Sequence, residues 1–127
     1  MSRIDQRRQG FSVKCNRAEP SHIWRARTFI ERHSVEQLSL RRVAKVVEMT
    51  PNYLSESFKQ VTGMNFVEHV GHIRYENACY FLSNSNLRIT EIAFAVGFQS
   101  LSQFNRVFKK LSGKSPTQFR KLCQHRM

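Results

Sequence analysis

The chain has few acidic residues, few cysteines and no long apolar run. Its 127 residues include 9 Asp and Glu against 21 Lys and Arg, for a formal net charge of +12. Cys15, Cys79 and Cys123 are odd in number and lack CxxC spacing, which argues against a disulfide framework or a zinc finger. No segment is apolar enough to span a membrane, and no apolar stretch follows the basic N-terminus as a secretory signal requires.

Signatures of catalysis and of cofactor binding are missing as well. The sequence has no glycine-rich phosphate loop and no nucleophile elbow, so we expect neither enzymatic activity nor a cofactor. His69 and His72 are spaced for a shared metal on one helix, but no third ligand accompanies them, and no metal site is expected. An enzyme acting on DNA is therefore the weakest of the functional alternatives.

The excess of positive charge favours a polyanionic partner, either a nucleic acid or an anionic membrane face. A net charge of this size destabilises a compact fold through self-repulsion. The charge is therefore expected to serve the binding of a partner. Cysteines without disulfide spacing are typical of reduced thiols, so we expect a cytoplasmic protein.

The apolar spacing predicts an all-α chain of seven helices, with no strand alternation. Residues 1–19 are polar and basic and are expected to form a flexible arm or a linker remnant ahead of one domain at 20–127. Caps are predicted at Ser39, Thr50-Pro51, Gly63 and Gly113. The residues predicted to face the core are Ile23, Ala26, Phe29, Ile30, Leu40, Val43, Ala44, Val47, Tyr53, Leu54, Phe58, Val61, Val67, Val70, Ile73, Ala78, Cys79, Leu82, Phe119 and Leu122.

An internal repeat organises this domain. Residues 40–44 (LRRVA) align with 89–93 (ITEIA) at an offset of 49, and residues 58–63 (FKQVTG) align with 108–113 (FKKLSG) at an offset of 50. The slip of one residue falls in the turn between two paired helices, where a change of length is tolerated. The repeat therefore indicates a duplicated two-helix unit.

Each unit has the pattern of a helix-turn-helix, in which the second helix enters the major groove and the first braces it. The small residues Ala44 and Ala93 fall where the paired helices would cross. We place the first unit at about 39–63, the second at about 89–112, and a long linker helix at about 66–84. About 18 residues at ~1.5 Å each give the linker roughly 27 Å, which would suit two reading helices one DNA turn apart.

Polar side chains on the outer faces of the two second helices are the candidate base contacts. Arg pairs with guanine, Asn and Gln pair with adenine, and Glu accepts from cytosine, so the second unit has the stronger reading set, with Arg106 first. The candidate base contacts are Asn52, Ser55, Glu56, Ser102, Gln103, Asn105 and Arg106.

Basic residues near helix ends are the candidate phosphate contacts, since they would orient the protein on the duplex. The set is Arg41, Arg42, Lys59, Arg74, Lys109, Lys110, Lys114 and Arg120.

The region from Ser21 to about Arg120 resembles the AraC/XylS-type transcription regulators. The residues that carry the resemblance are Ile92-Ala93, Gly97-Phe98, Ser100, Ser102, Phe104, Arg106, Phe108-Lys109, Gly113, Ser115-Pro116 and Phe119-Arg120, with weaker matches at Leu40, Ala44, Leu54, Phe58-Lys59, Gly63, Arg74, Ala78 and Leu82. The resemblance implies two helix-turn-helix units on one linker helix, binding to double-stranded promoter DNA, and activation through RNA polymerase. It also implies an effector-sensing domain, for which this chain has no room, so we expect a free-standing regulator or an excised domain.

Two departures from the family pattern affect the first unit. Glu48 stands where the family often has Gly, and a non-Gly residue with positive φ costs of order 1 kcal/mol, so another turn geometry is expected there. Ser55 and Glu56 are weak base readers, so we expect the second unit to dominate specificity. The alternative function is a non-specific architectural nucleic-acid binder that depends on charge alone.

Overall fold

Every regular element of the described chain is an α-helix. The computed structural model describes residues 20–125, and the predicted arm at 1–19 lies outside them. The helices are α1 (Ser21–Arg32), α2 (Leu40–Val46), α3 (Pro51–Thr62), α4 (Phe66–Asn84), α5 (Ile89–Ala95), α6 (Leu101–Ser112) and α7 (Pro116–His125). With no strand between residues 20 and 125, the prediction of an all-α chain with seven helices is confirmed.

The helices divide into two compact units, each with its own core. The described part of the first unit comprises residues 20–33 and 38–69, and so contains the helix pair α2 and α3. The second unit comprises Ser34–Gln37 together with the chain from Val70 onward, and contains the pair α5 and α6. The segment Ser34–Gln37 thus joins α1 to α2 in sequence but packs as part of the second unit.

The first unit is held together by three helices that all contact one another. Side chains at helical spacing on α1 meet the small and branched residues of α2 and one face of α3. The buried apolar residues of this unit are Ile23, Ala26, Ile30, Val43, Ala44, Val47, Leu54, Phe58 and Phe66. His69 is buried beside them, with its ring edge-on to Phe58 at a centroid distance of 5.1 Å.

The turn of the first unit closes α2 through two backbone hydrogen bonds. The Met49 N–H donates to the Ala44 carbonyl at 2.9 Å, and the Glu48 N–H donates to the Lys45 carbonyl at 3.2 Å. This pair of bonds needs a left-handed residue just after the helix, and Glu48 supplies it with φ of 60°. The expectation of a different turn geometry is wrong, because these hydrogen bonds offset a strain of about 1 kcal/mol.

The turn of the second unit repeats this geometry with glycine at the strained position. The Phe98 N–H donates to the Ala93 carbonyl at 3.0 Å, and the Gly97 N–H donates to the Phe94 carbonyl at 3.2 Å. Gly97 has φ of 112° and is also closely packed, because a Cβ added there would lie 2.5 Å from the Ser34 carbonyl oxygen. Glycine is therefore required here both by the backbone angle and by the space.

Hydroxyl caps and glycines delimit α3 and α6 in the same way. Thr50 and Ser100 each accept a hydrogen bond from the backbone N–H three residues later, at 3.2 and 3.1 Å. Both helices end at a left-handed glycine, Gly63 with φ of 80° and Gly113 with φ of 79°. The predicted caps at Thr50, Gly63 and Gly113 are confirmed, and the two helices have the same length of 12 residues.

Four residues predicted to face the core are exposed instead. The exposed fractions are 52% for Tyr53, 38% for Val61, 75% for Val67 and 49% for Leu122. On these helices the buried residues cover a narrower face than the apolar spacing predicted. The prediction was wrong at these positions because periodicity gives the direction of a buried face but not its width.

We predict that Gly97→Ala destabilises the protein by about 2–5 kcal/mol, since the new methyl group adds a clash to the backbone strain. Gly113→Ala is the matched control, because its added Cβ would meet nothing within 4 Å and only the positive φ is penalised, by about 1 kcal/mol. Chemical denaturation of both variants measures the difference. Equal losses would contradict the close packing at Gly97.

Candidate nucleic-acid interface

The outer face of α6 is polar and carries no acidic residue. Phe104 and Phe108 are fully buried on its inner face, while Ser102, Asn105 and Arg106 are exposed on the opposite side. Since a residue advances ~100° around a helix, these three side chains project together away from the core. The predicted reading face of α6 is therefore free to meet a partner from solvent.

Aromatic packing fixes the orientation of α6. The Phe104 ring lies 5.2 Å from Phe98, which follows the turn, and 5.6 Å from Phe108. Phe108 in turn meets Tyr75 of α4 at 4.9 Å and Phe119 of α7 at 5.4 Å. Rings in contact on three sides leave this helix little freedom to rotate, so its outer residues are held in a defined direction.

Gln103 has a structural task in addition to its predicted role. Its side-chain oxygen accepts a hydrogen bond from the Gln99 backbone N–H at 2.9 Å, and its own backbone N–H is capped by Ser100. The side chain is half-buried at the first turn of α6. Of its amide group, the oxygen is occupied by the cap, and the NH₂ group is what remains to meet a base.

The outer face of α3 is a weaker version of the same surface. Asn52, Glu56 and Lys59 are exposed there, and Ser55 is half-buried. The one carboxylate among them opposes approach to phosphate, whereas the corresponding face of α6 has only neutral and basic groups. This difference in charge agrees with the expectation that the second unit carries more of the specificity.

Six of the predicted phosphate contacts are exposed, as such a role requires. They are Arg41, Arg42, Lys59, Lys109, Lys110 and Lys114. Arg42 is partly ordered, since its guanidinium lies 5.5 Å from the centre of the Phe29 ring. Such stacking on an aromatic ring is a favourable cation–π contact.

Arg74 has a different role from the predicted phosphate contact. It is only 8% exposed, and its guanidinium donates to the Ser34 carbonyl at 2.8 Å and to the Glu36 carbonyl at 2.9 Å. It also lies 5.8 Å from the Phe98 ring centre, and burial lowers its pKa. Arg74 fastens the segment Ser34–Gln37 to α4, and because it is buried and bonded there we remove it from the contact set.

Arg120 is likewise engaged inside the second unit. Its guanidinium donates to three backbone carbonyls at and after the end of α4, those of Leu82 at 3.4 Å, Ser85 at 3.2 Å and Leu87 at 2.7 Å. These carbonyls lie at the negative end of the helix dipole, where a cation is stabilised. Arg120 closes the loop from α4 to α5 and is also removed from the contact set.

Two surface features were missed from the sequence. Tyr53, expected in the core, is exposed at the first turn of α3, and Gln37 and Gln99 bond through their side-chain amides beside the second turn. The repeat contained a signal for the first feature, because Tyr53 aligns with the polar Gln103 at the offset of 50. Nothing local links Gln37 to Gln99, which lie 62 residues apart.

The described residues also bear on membrane spanning, metal binding and cysteine reactivity. In the stretch 20–125, no helix is both long and apolar enough to cross a bilayer, and no three His, Cys, Asp or Glu side chains cluster as a metal site requires. Burial raises the pKa of Cys79 to about 11, so its thiol stays protonated at neutral pH. A protonated thiol is a poor nucleophile.

The chain is similar in sequence to many known helix-turn-helix proteins. A family model described as a helix-turn-helix domain matches residues 43–122. The uncharacterized HTH-type transcriptional regulator YobQ of Bacillus subtilis is 33% identical over 100 residues, which is 79% of this chain and 42% of that protein. The chain spans less than half the length of the curated relatives it matches.

Solved structures with the same fold are similar over most of the chain. The C-terminal domain of AraT, a response regulator from Geobacillus stearothermophilus, is 36% identical with a TM-score of 0.79, covering 83% of this chain and 88% of that one. The DNA-binding domain of AdpA, a global transcriptional factor solved with a target DNA, has a TM-score of 0.78 at 22% identity, covering 82% and 94%. The second likeness concerns the fold alone.

We predict that Arg74→Met lowers the free energy of unfolding by about 2–3 kcal/mol, because two backbone carbonyls lose their charged donor. Lys109→Met, a matched removal of an exposed cation on α6, should change it by less than about 0.5 kcal/mol. Urea titration followed by circular dichroism measures both. If Arg74→Met were as stable as the parent protein, Arg74 would return to the set of candidate surface contacts.

Proposed function

The chain belongs to the AraC/XylS family of helix-turn-helix proteins, and on this premise we propose that it is a sequence-specific transcription regulator that binds double-stranded promoter DNA. The observation that carries the proposal is the outer face of α6. It combines an exposed Arg, Asn and Ser with two lysines and no carboxylate, on a helix held rigid by aromatic packing. This is the chemistry that reads base edges in a major groove.

In this proposal the two units contribute unequally to base recognition. Ser102, Gln103, Asn105 and Arg106 of α6 contact bases, and Arg106 pairs with a guanine through two parallel hydrogen bonds. Asn52, Ser55 and Glu56 of α3 form the weaker reading set. Each recognition helix enters its own major groove, and the two grooves are successive on one side of the duplex.

Exposed cations would fix the register on the duplex without reading sequence. Arg41, Arg42 and Lys59 serve the first unit in this role, and the lysines at 109, 110 and 114 serve the second. Their binding releases counterions, so affinity should fall steeply as salt rises.

The proposal extends to activation through contact with RNA polymerase in the cytoplasm, at the bacterial nucleoid. The matched region makes up only 42% and 34% of two of these relatives, which leaves room for a further domain in them, and an effector-sensing domain outside this sequence is part of the proposal. A reporter gene downstream of the selected site, assayed with purified polymerase, distinguishes activation from repression.

Selection of bound duplexes from a random DNA pool tests the proposal as a whole. We expect an enriched site with two clusters of preferred positions about 10 base pairs apart, one for each unit. One cluster alone would mean that only the second unit reads bases. Enrichment without any motif would favour the non-specific architectural binder.

We predict that Arg106→Ala weakens binding to the selected site by about 1–3 kcal/mol and relaxes preference at one base pair. Lys110→Ala, two residues before the end of the same helix, serves as the control and should weaken all sequences by a similar factor. Fluorescence anisotropy on a panel of single-base variants measures both. A uniform loss for Arg106→Ala would reassign that side chain to a phosphate.

A further inference from the structure

Tyr53 is a large aromatic residue left uncovered on the recognition helix of the first unit. Its side chain is 52% exposed, although it lies beside the buried Leu54. Leaving this much aromatic surface in water forgoes stabilisation that burial would provide. In the described chain no residue pairs with its hydroxyl, so the polar end of the ring is available to an outside acceptor.

The position of Tyr53 is fixed despite this exposure. Its backbone N–H donates to the Thr50 hydroxyl at 3.2 Å, which anchors the first turn of α3. Its ring stacks on the His22 imidazole of α1, with centroids 5.8 Å apart and planes inclined by 28°. An aromatic side chain with two torsions, held against a second ring, loses little entropy when it binds.

The second unit uses the same helical position differently. Gln103, which aligns with Tyr53, folds back to accept the Gln99 N–H and is half-buried. The first unit has no such cap at this position, and its residue points out. At this position the second unit has a capping residue, whereas the first unit has a residue whose side chain can contact a partner.

Geometry places Tyr53 beside the reading face rather than on it. It follows Asn52 by ~100° around α3, on the side of α1, so it flanks the residues that face bases. It also lies in the first turn of the helix, where the dipole attracts anions. Arg25, one turn after His22 on α1, is exposed and adds positive charge along that face.

We infer that the Tyr53 hydroxyl donates a hydrogen bond to a DNA backbone phosphate at the edge of the groove read by α3, with His22 as the residue that positions its ring. The inference rests on the proposed function, and it adds a contact that carries no charge. Tyrosine is among the side chains that bind phosphate oxygens in this way.

Tyr53→Phe tests the contact, because it removes the hydroxyl and keeps the stacked ring. We expect affinity for the selected site to fall roughly tenfold, as for one hydrogen bond to a charged group. The factor should be the same on every single-base variant of the site. The salt dependence should not change, since a neutral donor releases no counterion.

Lys59→Gln provides the matched contrast on the same helix. It removes a cation, so we expect it to reduce the slope of log affinity against log salt by about 1, whereas Tyr53→Phe leaves that slope as it was. Thermal melting should be unchanged in both variants, because both groups are exposed. A loss of binding can then be read as a lost contact.

The positioning role of His22 is tested by a double-mutant cycle. His22→Ala should weaken binding without changing the salt slope, and Tyr53→Phe should cost less in the His22→Ala background than in the parent. Independent effects of the two changes would contradict positioning by His22, and melting curves would identify a variant that had unfolded.

Three outcomes would overturn the inference. Unchanged affinity of Tyr53→Phe would mean that the hydroxyl meets no phosphate. A loss confined to one base pair would make Tyr53 a base reader, and a reduced salt slope would contradict a neutral contact. Failure of the proposed function has a different signature, since the parent protein itself would then select no motif.

Discussion

The outer faces of α3 and α6 depend on one constraint, a residue with positive φ two positions after the first helix of each pair. Glu48 and Gly97 turn the chain within a few residues, so that α3 packs against α2 and α6 packs against α5. The two backbone hydrogen bonds that close each turn satisfy carbonyls a helix end would otherwise leave unpaired. Without this turn, α3 and α6 would not present their polar faces away from the core of their own unit.

The two units share one geometry and differ in detail. The first tolerates a strained Glu48, whereas Gly97 packs so closely against the Ser34 carbonyl that no side chain fits. The second unit holds the segment Ser34–Gln37 with Arg74 and keeps an outer helix face without acid. The first carries a carboxylate on that face and a tyrosine at its edge. The two units therefore share one plan but differ in the charge of their outer helix faces.

The candidate site was only partly accessible from the sequence. The apolar stripe of α6 correctly placed Ser102, Asn105 and Arg106 on the outside, because helical periodicity is a local property. The roles of the basic residues were harder to predict. In a strongly basic chain, the sequence around a basic residue that stabilises the fold does not differ from the sequence around one that binds a partner. Arg74 and Arg120 bond to carbonyls 33 to 40 residues away, and no local pattern reveals such partners.

Helix number, caps, the repeat and membership in the family were determined by the sequence alone. Helices and caps depend on interactions between residues a few positions apart, and the repeat and the family pattern are matches of residue type, so the order of residues records all of them directly. The tertiary structure decided which cations are exposed, how wide each buried face is and that the exposed Tyr53 ring stacks on His22. These depend on which distant elements pack together, because a long side chain binds whatever acceptor the fold brings within its reach.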